Sequence, residues 1–136
     1  HMKKLKLTVA FEDGDYVVFA KLHYDRAPNL IAAIEKVVPF SNPVRHARIC
    51  ESEWMLSTPY FAVEDENFSY PDPGDISLHR AGPHFCGWYE RISPIGTTDI
   101  FASVAPEDLE EYRKKMGRTW EHPGAKMTVD IVEVDA

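Results

Sequence analysis

The chain has 136 residues, 44% of them hydrophobic and 27% charged, which is the composition of one globular domain rather than of a disordered or fibrous chain. Its 15 Lys and Arg residues are outnumbered by 22 Asp and Glu residues, and the formal charge of −7 excludes nucleic acid as an expected partner. No apolar run approaches the roughly 20 residues that span a bilayer, so no membrane partner is expected.

The first part of the chain predicts a β-hairpin. In KLKLTVAF (residues 4–11) apolar and polar side chains alternate, as on a strand with one buried face. YVVFAKLHY (residues 16–24) returns as the second strand. Between them, Asp13 and Gly14 are expected to supply the positive φ angles of a tight turn.

An amphipathic helix and a long strand are predicted next. APNLIAAIEKVV (residues 27–38) has apolar residues at helical spacing, with Pro28 at the first helical position and Pro39 at its end. VRHARICESEWML (residues 44–56) is predicted to be one strand. Its alternation assigns one face to the following side chains: Val44, His46, Arg48, Cys50, Ser52 and Trp54.

The middle of the chain predicts a long excursion and a second hairpin. Residues 57–75 are rich in proline and acidic residues, and we expect a loop with a short strand at residues 60–63. PGDISLHRAGPHFCGWYERI (residues 73–92) is typical of two strands joined by a tight turn at Ala81-Gly82-Pro83.

The last elements are a strand, a helix and a strand. DIFASV (residues 99–104) and KMTVDIVEV (residues 126–134) have strand character, and PEDLEEYRKKM (residues 106–116) has the acidic start and basic end of a helix. This order has too many strands and too few crossover helices for a doubly wound sheet. It predicts a mainly β protein: an antiparallel closed barrel capped by two α-helices.

The order of elements and three of its motifs resemble the cyclophilin fold. These motifs are the Ala-Pro helix start at Ala27, the segment of residues 73–92 and the DIFASV strand followed by a helix. The resemblance implies a closed β-barrel with two helices. Cyclophilins use an arginine on the strand after the first helix, where this chain has Arg45 and Arg48, but their Gln-Gly-Gly-Asp run is missing here.

The chain is more similar to an uncharacterised family of short bacterial cyclophilin-like proteins. It has the His-Ala-Arg segment of that family at residues 46–48, an acidic residue soon after it and Ser-Tyr-Pro-Asp-Pro-Gly-Asp at residues 69–75. A more distant likeness is to cucumopine synthase, which condenses an amino acid with a keto acid. That likeness implies that such a barrel can hold small-molecule chemistry.

The predicted catalytic residues are His46, Arg48 and Glu53. On one strand, His46 and Arg48 would project from the same face, a proton-transferring ring beside a permanent cation that binds carboxylates. Glu53, next to Trp54, is the second acid/base candidate, with Glu51 as its alternative. The alternative interpretation is that these charged side chains only solvate the outer face of the barrel.

Further residues are predicted to bind the substrate: Arg45, Tyr60, His84, Trp88, Tyr89 and Glu90. His79, His84 and Glu90 lie near one another in the second hairpin, but their spacing matches no recognised metal site, so neither a metal nor a cofactor is expected. A thiol at Cys50 activated by His46 is less favoured than a structural cysteine. No partner is predicted for His23.

The sequence therefore predicts an enzyme that acts on a small carboxylate, amide or keto acid by acid/base chemistry, in a groove of the barrel. A prolyl isomerase and a non-catalytic binding module are the alternatives. Residues 1–136 are taken as one domain, with His1-Met2 an expression scar. Cys50 and Cys86 form neither a zinc motif nor a disulfide framework, which favours the cytoplasm. The sequence is compatible with a homo-oligomer but does not determine the oligomeric state.

Overall fold

The computed structural model describes residues 2–49, 52–91 and 96–135. The helices there are α1 (Pro28–Glu35) and α2 (Leu109–Met116), and a 3-10 turn at Pro106–Asp108 precedes α2. The strands are β1 (Met2–Phe11), β2 (Gly14–Leu22), β3 (Phe40–His46), β4 (Glu53–Ser57), β5 (Phe68–Ser69), β6 (Asp75–His79), β7 (His84–Trp88), β8 (Thr98–Val104) and β9 (Lys126–Val134).

Eight of the strands in the described residues close into an antiparallel barrel. Their order is β2, β1, β9, β3, β4, β7, β6 and β8, and β8 pairs again with β2 to close the ring. The short β5 adds an outer strand to the start of β8. The mainly β barrel with two helices, predicted from the order of elements, is confirmed. Neither helix in the described part of the chain has the length and hydrophobicity of a membrane span.

The barrel interior is filled by the apolar side of each alternating strand. Leu5, Leu7 and Val9 of β1 are fully buried, as their spacing predicts. Each helix adds its apolar face to the same core. In α2 this includes Tyr112, whose hydroxyl accepts a 2.6 Å hydrogen bond from Nε1 of the fully buried Trp54.

Both predicted hairpins are present. β1 and β2 pair along their length, but Phe11 and Gly14 are already partners, so the turn is Glu12-Asp13. Only Gly14, with a φ of 131°, has a positive φ angle there, and the positive φ expected for Asp13 is wrong. The second hairpin joins β6 to β7, and Gly82 supplies the positive φ of its turn.

The single strand predicted over residues 44–56 is wrong. The chain leaves the sheet at His46 and re-enters it at Glu53, and the two strands pair with each other, with His46 opposite Trp54. The Ala47 amide donates to the Glu53 carbonyl and closes this hairpin. As a result, His46 and Arg48 do not share a strand face.

The short strand predicted at residues 60–63 is also absent from this described segment. Phe61 instead inserts its ring into the core, stacked on Phe85 at a centroid distance of 6.1 Å. Further along the loop, the Glu66 carboxylate accepts the backbone amides of Asn29 and Leu30. The excursion thus caps the N-terminus of α1, which lacks a side-chain cap of its own.

A partly buried ion pair fixes the same loop to the barrel. Asp99, which is fully buried, accepts a 3.1 Å hydrogen bond from Arg80 and a 2.9 Å bond from the Asn67 amide. Arg80 also pairs with Asp65 and donates to the Val63 carbonyl. The buried carboxylate therefore has partners on both the hairpin and the loop.

We expect Asp99→Asn to lower the free energy of unfolding by about 1–3 kcal/mol, because the amide keeps one acceptor oxygen but loses the charge that Arg80 compensates. Urea denaturation measures the loss. Asp72→Asn is the matched control, since its pair with Arg91 is exposed and such pairs contribute little. Equal stability of the two variants would contradict this role for Asp99.

Candidate active site

A cavity of about 410 Å³ lies on the outer face of the barrel, over β4, β6 and β7. We call it the outer-face cavity. Because Trp54 and Leu56 point into the core, Glu53 and Met55, which alternate with them along β4, face outward. Their cross-strand partners on β7 are Trp88 and Cys86, which face the same side. The lining includes Ala47, Arg48, Ile49, Glu53, Met55, His79, His84, Cys86, Trp88, Gly96, Thr97 and Thr98.

Two opposed residues of this lining, Glu53 and Trp88, have side-chain polar groups without partners among the described residues. Glu53 is 8% exposed, and among the described residues nothing forms a hydrogen bond or ion pair with its carboxylate. Trp88 is 7% exposed, and its Nε1 has no hydrogen-bond partner within the described segments. Buried polar groups are nearly always paired in proteins. An acceptor and a donor therefore remain available to a molecule in the cavity.

His79 and His84 stand at one end of the cavity, as a cross-strand pair of the second hairpin. Their rings are stacked, with centroids 4.9 Å apart. Burial lowers the pKa of His84, and the neighbouring His79 lowers it further, while the charge of Glu53 acts in the opposite direction. His84 is therefore neutral near pH 7, the form that can accept a proton.

Arg48 belongs to the chain segment that connects β3 to β4. Its guanidinium carbon lies 4.5 Å from the centroid of the Trp120 ring, in a cation–π contact. In the described part of the chain, its N–H groups have neither a hydrogen-bond acceptor nor an ion-pair partner. Arg48 thus places beside the cavity a positive charge that has no counter-ion among the described residues.

His46 lies beneath this segment and does not line the cavity. Its Nδ1 donates to the Ala47 carbonyl at 2.8 Å, since a carbonyl only accepts. In the neutral ring, Nε2 then accepts a 2.8 Å hydrogen bond from the Tyr89 hydroxyl. Trp120 covers the ring edge-to-face, with centroids 4.8 Å apart. His46 is held in one tautomer among aromatic rings.

This burial makes stability depend on pH. Desolvation, together with Arg48, lowers the pKa of His46, against the opposing effects of the Ala47 hydrogen bond and Glu53. The unfolded chain binds a proton at His46 near pH 6.5, whereas the folded form resists it. The free energy of unfolding should therefore fall as the pH drops below about 6.5, until the lower folded-state pKa is passed.

We expect His46→Gln to lose less stability than the unmodified protein between pH 7.5 and pH 5.5. Urea denaturation at both pH values measures the difference. His122→Gln, at an exposed position, should keep the full pH dependence. If His46→Gln and the unmodified protein lose the same amount, the buried neutral ring assigned to His46 is wrong.

The structure brings together four of the predicted site residues: Arg48, Glu53, His84 and Trp88 line the outer-face cavity. The other predicted residues of the site lie elsewhere. Tyr89 is buried against His46, Glu90 pairs with Arg113 on the surface, Tyr60 is 77% exposed, and Arg45 is exposed beside Ser57. The predictions for Cys50 and Glu51 concern residues outside the described segments.

Sequence reasoning missed several residues of the lining, chiefly Met55, Cys86 and Thr98. The alternation of β7 around its buried Phe85 would have placed Cys86 on the outer face. Placing Met55 beside it requires the pairing of β4 with β7. Within the described residues, no group of three or more His, Cys, Asp or Glu side chains is arranged to hold a metal ion.

Comparison with known proteins places the chain in a family. The model of the family described as "Protein of unknown function (DUF3830)" matches residues 9–86, more than half of the chain. The chain belongs to this family. The match includes the end of β1, all of β2 to β6 and most of β7, and so contains Glu53 and His84. A comparison with curated protein sequences finds no match.

Two solved structures share the fold of this DUF3830 protein. McbB, determined in complex with tryptophan, is similar with a TM-score of 0.80 and 19% identity, over 97% of this chain and 45% of McbB. The chain thus spans less than half of McbB. The solution structure of the hypothetical protein AF2241 from Archaeoglobus fulgidus is similar with a TM-score of 0.62 and 18% identity, over 93% and 94% of the two chains. At this identity, the similarity shows the fold alone.

Proposed function

We propose that the protein is an enzyme that transfers a proton to or from a small carbonyl or carboxylate compound in the outer-face cavity. The observation that carries this proposal is the buried indole N–H of Trp88, which has no partner in the described structure and lies across the strand pair from the carboxylate of Glu53. A purely structural lining would pair the Trp88 N–H, because a buried donor without a hydrogen bond costs free energy.

In this proposal, Trp88 is the hydrogen-bond donor and Glu53 is the base. Trp88 Nε1 would donate to a carbonyl or carboxylate oxygen of the substrate. Glu53, its cross-strand partner, would then take a proton from the carbon or nitrogen next to that oxygen-bearing group. Because no cation neutralises Glu53 in the described structure, its lone pairs are available for this step.

His84 and Arg48 complete the proposed site. Glu53, protonated by that step, would return the proton to the product, and His84, neutral near pH 7, would take a second proton from the substrate. Arg48 would bind a substrate carboxylate at the edge of the cavity, where its charge lacks a described counter-ion. His46 positions the turn through Ala47 and does not meet the substrate.

The choice of a small molecule has two supports. Apolar side chains, including Ile49, Met55 and Trp88, form much of the lining and suit a compact organic molecule. McbB, with the same fold, is described in complex with tryptophan. An amino acid or a keto acid is therefore the substrate class that we propose.

Solvent deuterium incorporation tests this function, because it detects the proton-transfer step whatever reaction follows. The protein is incubated in D₂O with a panel of amino acids, keto acids and their amides, and NMR follows loss of the proton next to the carbonyl. We expect enzyme-dependent exchange in at least one compound of the panel. No exchange in any compound, with no product formed from mixed pairs, would overturn the proposal.

A prolyl isomerase is the rival that this assay must exclude. Arg45 stands on the outer face of β3, opposite Met55, and would be the catalytic arginine in that case. NMR exchange spectra of Ala-Pro peptides measure cis/trans interconversion directly. Accelerated interconversion that disappears in Arg45→Ala, without proton exchange on small molecules, would replace our proposal by this rival.

A further inference from the structure

A second cavity of about 410 Å³ lies on another side of the barrel, where β2, β6 and β8 meet the loop before β6. We call it the polar cavity. Its lining includes Lys21, His23, Asp25, Arg26, Tyr70 and Asp75. Charges of both signs surround it, in contrast to the largely apolar outer-face cavity.

Three polar side chains from three different strands or strand ends form a hydrogen-bonded chain in the polar cavity. Ser103 donates to Asp75 at 2.6 Å, since a carboxylate only accepts. The Ser103 oxygen then accepts a 2.8 Å hydrogen bond from Nε2 of His23. The backbone pairing aligns Lys21, Ser103 and Asp75 in one row across β2, β8 and β6. The hydrogen bond to Ser103, which is itself bonded to Asp75, holds the His23 ring in a fixed orientation.

The chain of hydrogen bonds determines which nitrogen of His23 is available. Nε2 bears the proton that is donated to Ser103, so Nδ1 of the neutral ring presents a lone pair. Among the described residues, Nδ1 has no hydrogen-bond partner. The ring therefore offers one acceptor to a molecule in the polar cavity.

The charged side chains beside His23 have weak ion pairs or none among the described residues. Lys21 has neither an ion pair nor a hydrogen bond in the described part of the chain. Arg26 and Asp25 lie 3.9 Å apart and are both more than 60% exposed, so their pair contributes little. A molecule with a carboxylate and an ammonium could pair with both signs at once.

We propose that the polar cavity is a second binding site that takes a small zwitterion of the amino-acid class. Its carboxylate binds Lys21 and Arg26, and its ammonium donates to His23 Nδ1 and Asp25. A neutral polyol is disfavoured, because it would desolvate these charges without compensating them. A simple anion is disfavoured by the nearby carboxylates of Asp25 and Asp75.

A structural tie between strands is the competing explanation for the His23, Ser103 and Asp75 chain. The backbone ladders already join β2 to β8 and β8 to β6, and no ladder bond depends on the Ser103 hydroxyl. A tie predicts a loss of stability in Ser103→Ala and no ligand. A binding site predicts a loss of affinity.

Two-dimensional NMR titration of the full chain tests the proposal. The probes are L-serine, L-glutamine and L-phenylalanine, with N-acetyl-L-glutamine lacking the ammonium, L-glutaminamide lacking the carboxylate, and myo-inositol as the polyol. We expect at least one free amino acid to shift the backbone signals of residues 21–26 and 67–75. Either L-glutamine derivative should bind roughly tenfold or more weakly than L-glutamine, since each loses a charged hydrogen bond.

Variants separate this site from the outer-face cavity. Ser103→Ala should weaken binding by roughly tenfold, and Lys21→Met, at an exposed position, provides the same test if Ser103→Ala does not fold. In Glu53→Gln, the signals of residues 21–26 should shift at the same probe concentration as in the unmodified protein, because these residues lie in the polar cavity. Absence of shifts at residues 21–26 at millimolar probe, equal binding of the derivatives, or binding of myo-inositol alone would overturn the proposal.

Discussion

Replacing Gly87 by alanine is expected to destabilise the fold by roughly 3 kcal/mol or more. Gly87 lies opposite Trp54 in the pairing of β4 with β7, and the Trp54 ring covers it. A Cβ atom at this position would overlap three atoms of the indole. Trp54 cannot yield easily, because it is fully buried and its Nε1 is bonded to Tyr112.

Chemical denaturation with far-UV and near-UV circular dichroism measures this loss. Gly96→Ala is the matched control, since a Cβ there meets no atom within 4 Å. It should change the free energy of unfolding by less than about 0.5 kcal/mol. A Gly87→Ala protein as stable as the Gly96→Ala control would show that the Trp54 ring is not packed over this glycine.

The second large effect is expected for Glu53→Gln. Glutamine has nearly the shape of glutamate but cannot take a proton at neutral pH, so proton transfer should slow by roughly 10²–10⁴-fold. Stability should be nearly unchanged, because glutamine keeps the shape of the side chain and the substitution breaks no ion pair among the described residues. A structural carboxylate would behave in the opposite way: its loss would weaken the fold and leave turnover intact.

Local patterns predict the parts of the fold that depend on nearby residues. The alternation in β1 places Leu5, Leu7 and Val9 inside the barrel, and Gly82 with its neighbours marks the turn of the second hairpin. Residues 44–56 resemble one strand because they contain no glycine, proline or asparagine to mark the turn that the structure has there.

Long-range contacts explain what the sequence could not reveal. Phe61 lies in a segment with strand-like composition, but its ring packs in the core against Phe85. The partner of His23 is Ser103, 80 residues away along the chain. Such a pairing depends on how the barrel closes, and no spacing in the sequence encodes it.

The candidate site is predictable in part for the same reason. Glu53 stands out in the sequence because it adjoins Trp54, a local feature. Its actual environment depends on Trp88, its partner across β4 and β7. The prediction for His46 depends on a strand face shared with Arg48, which the turn between β3 and β4 removes.

The most direct test of the central claim is the rate of solvent deuterium incorporation into the best compound of the panel, compared between the unmodified protein, Glu53→Gln and Glu90→Gln. Glu90 lies outside the cavity in a surface pair with Arg113, so it is the matched carboxylate. We predict a loss of roughly 10²–10⁴-fold for Glu53→Gln alone. Equal rates in all three proteins would contradict proton transfer by Glu53.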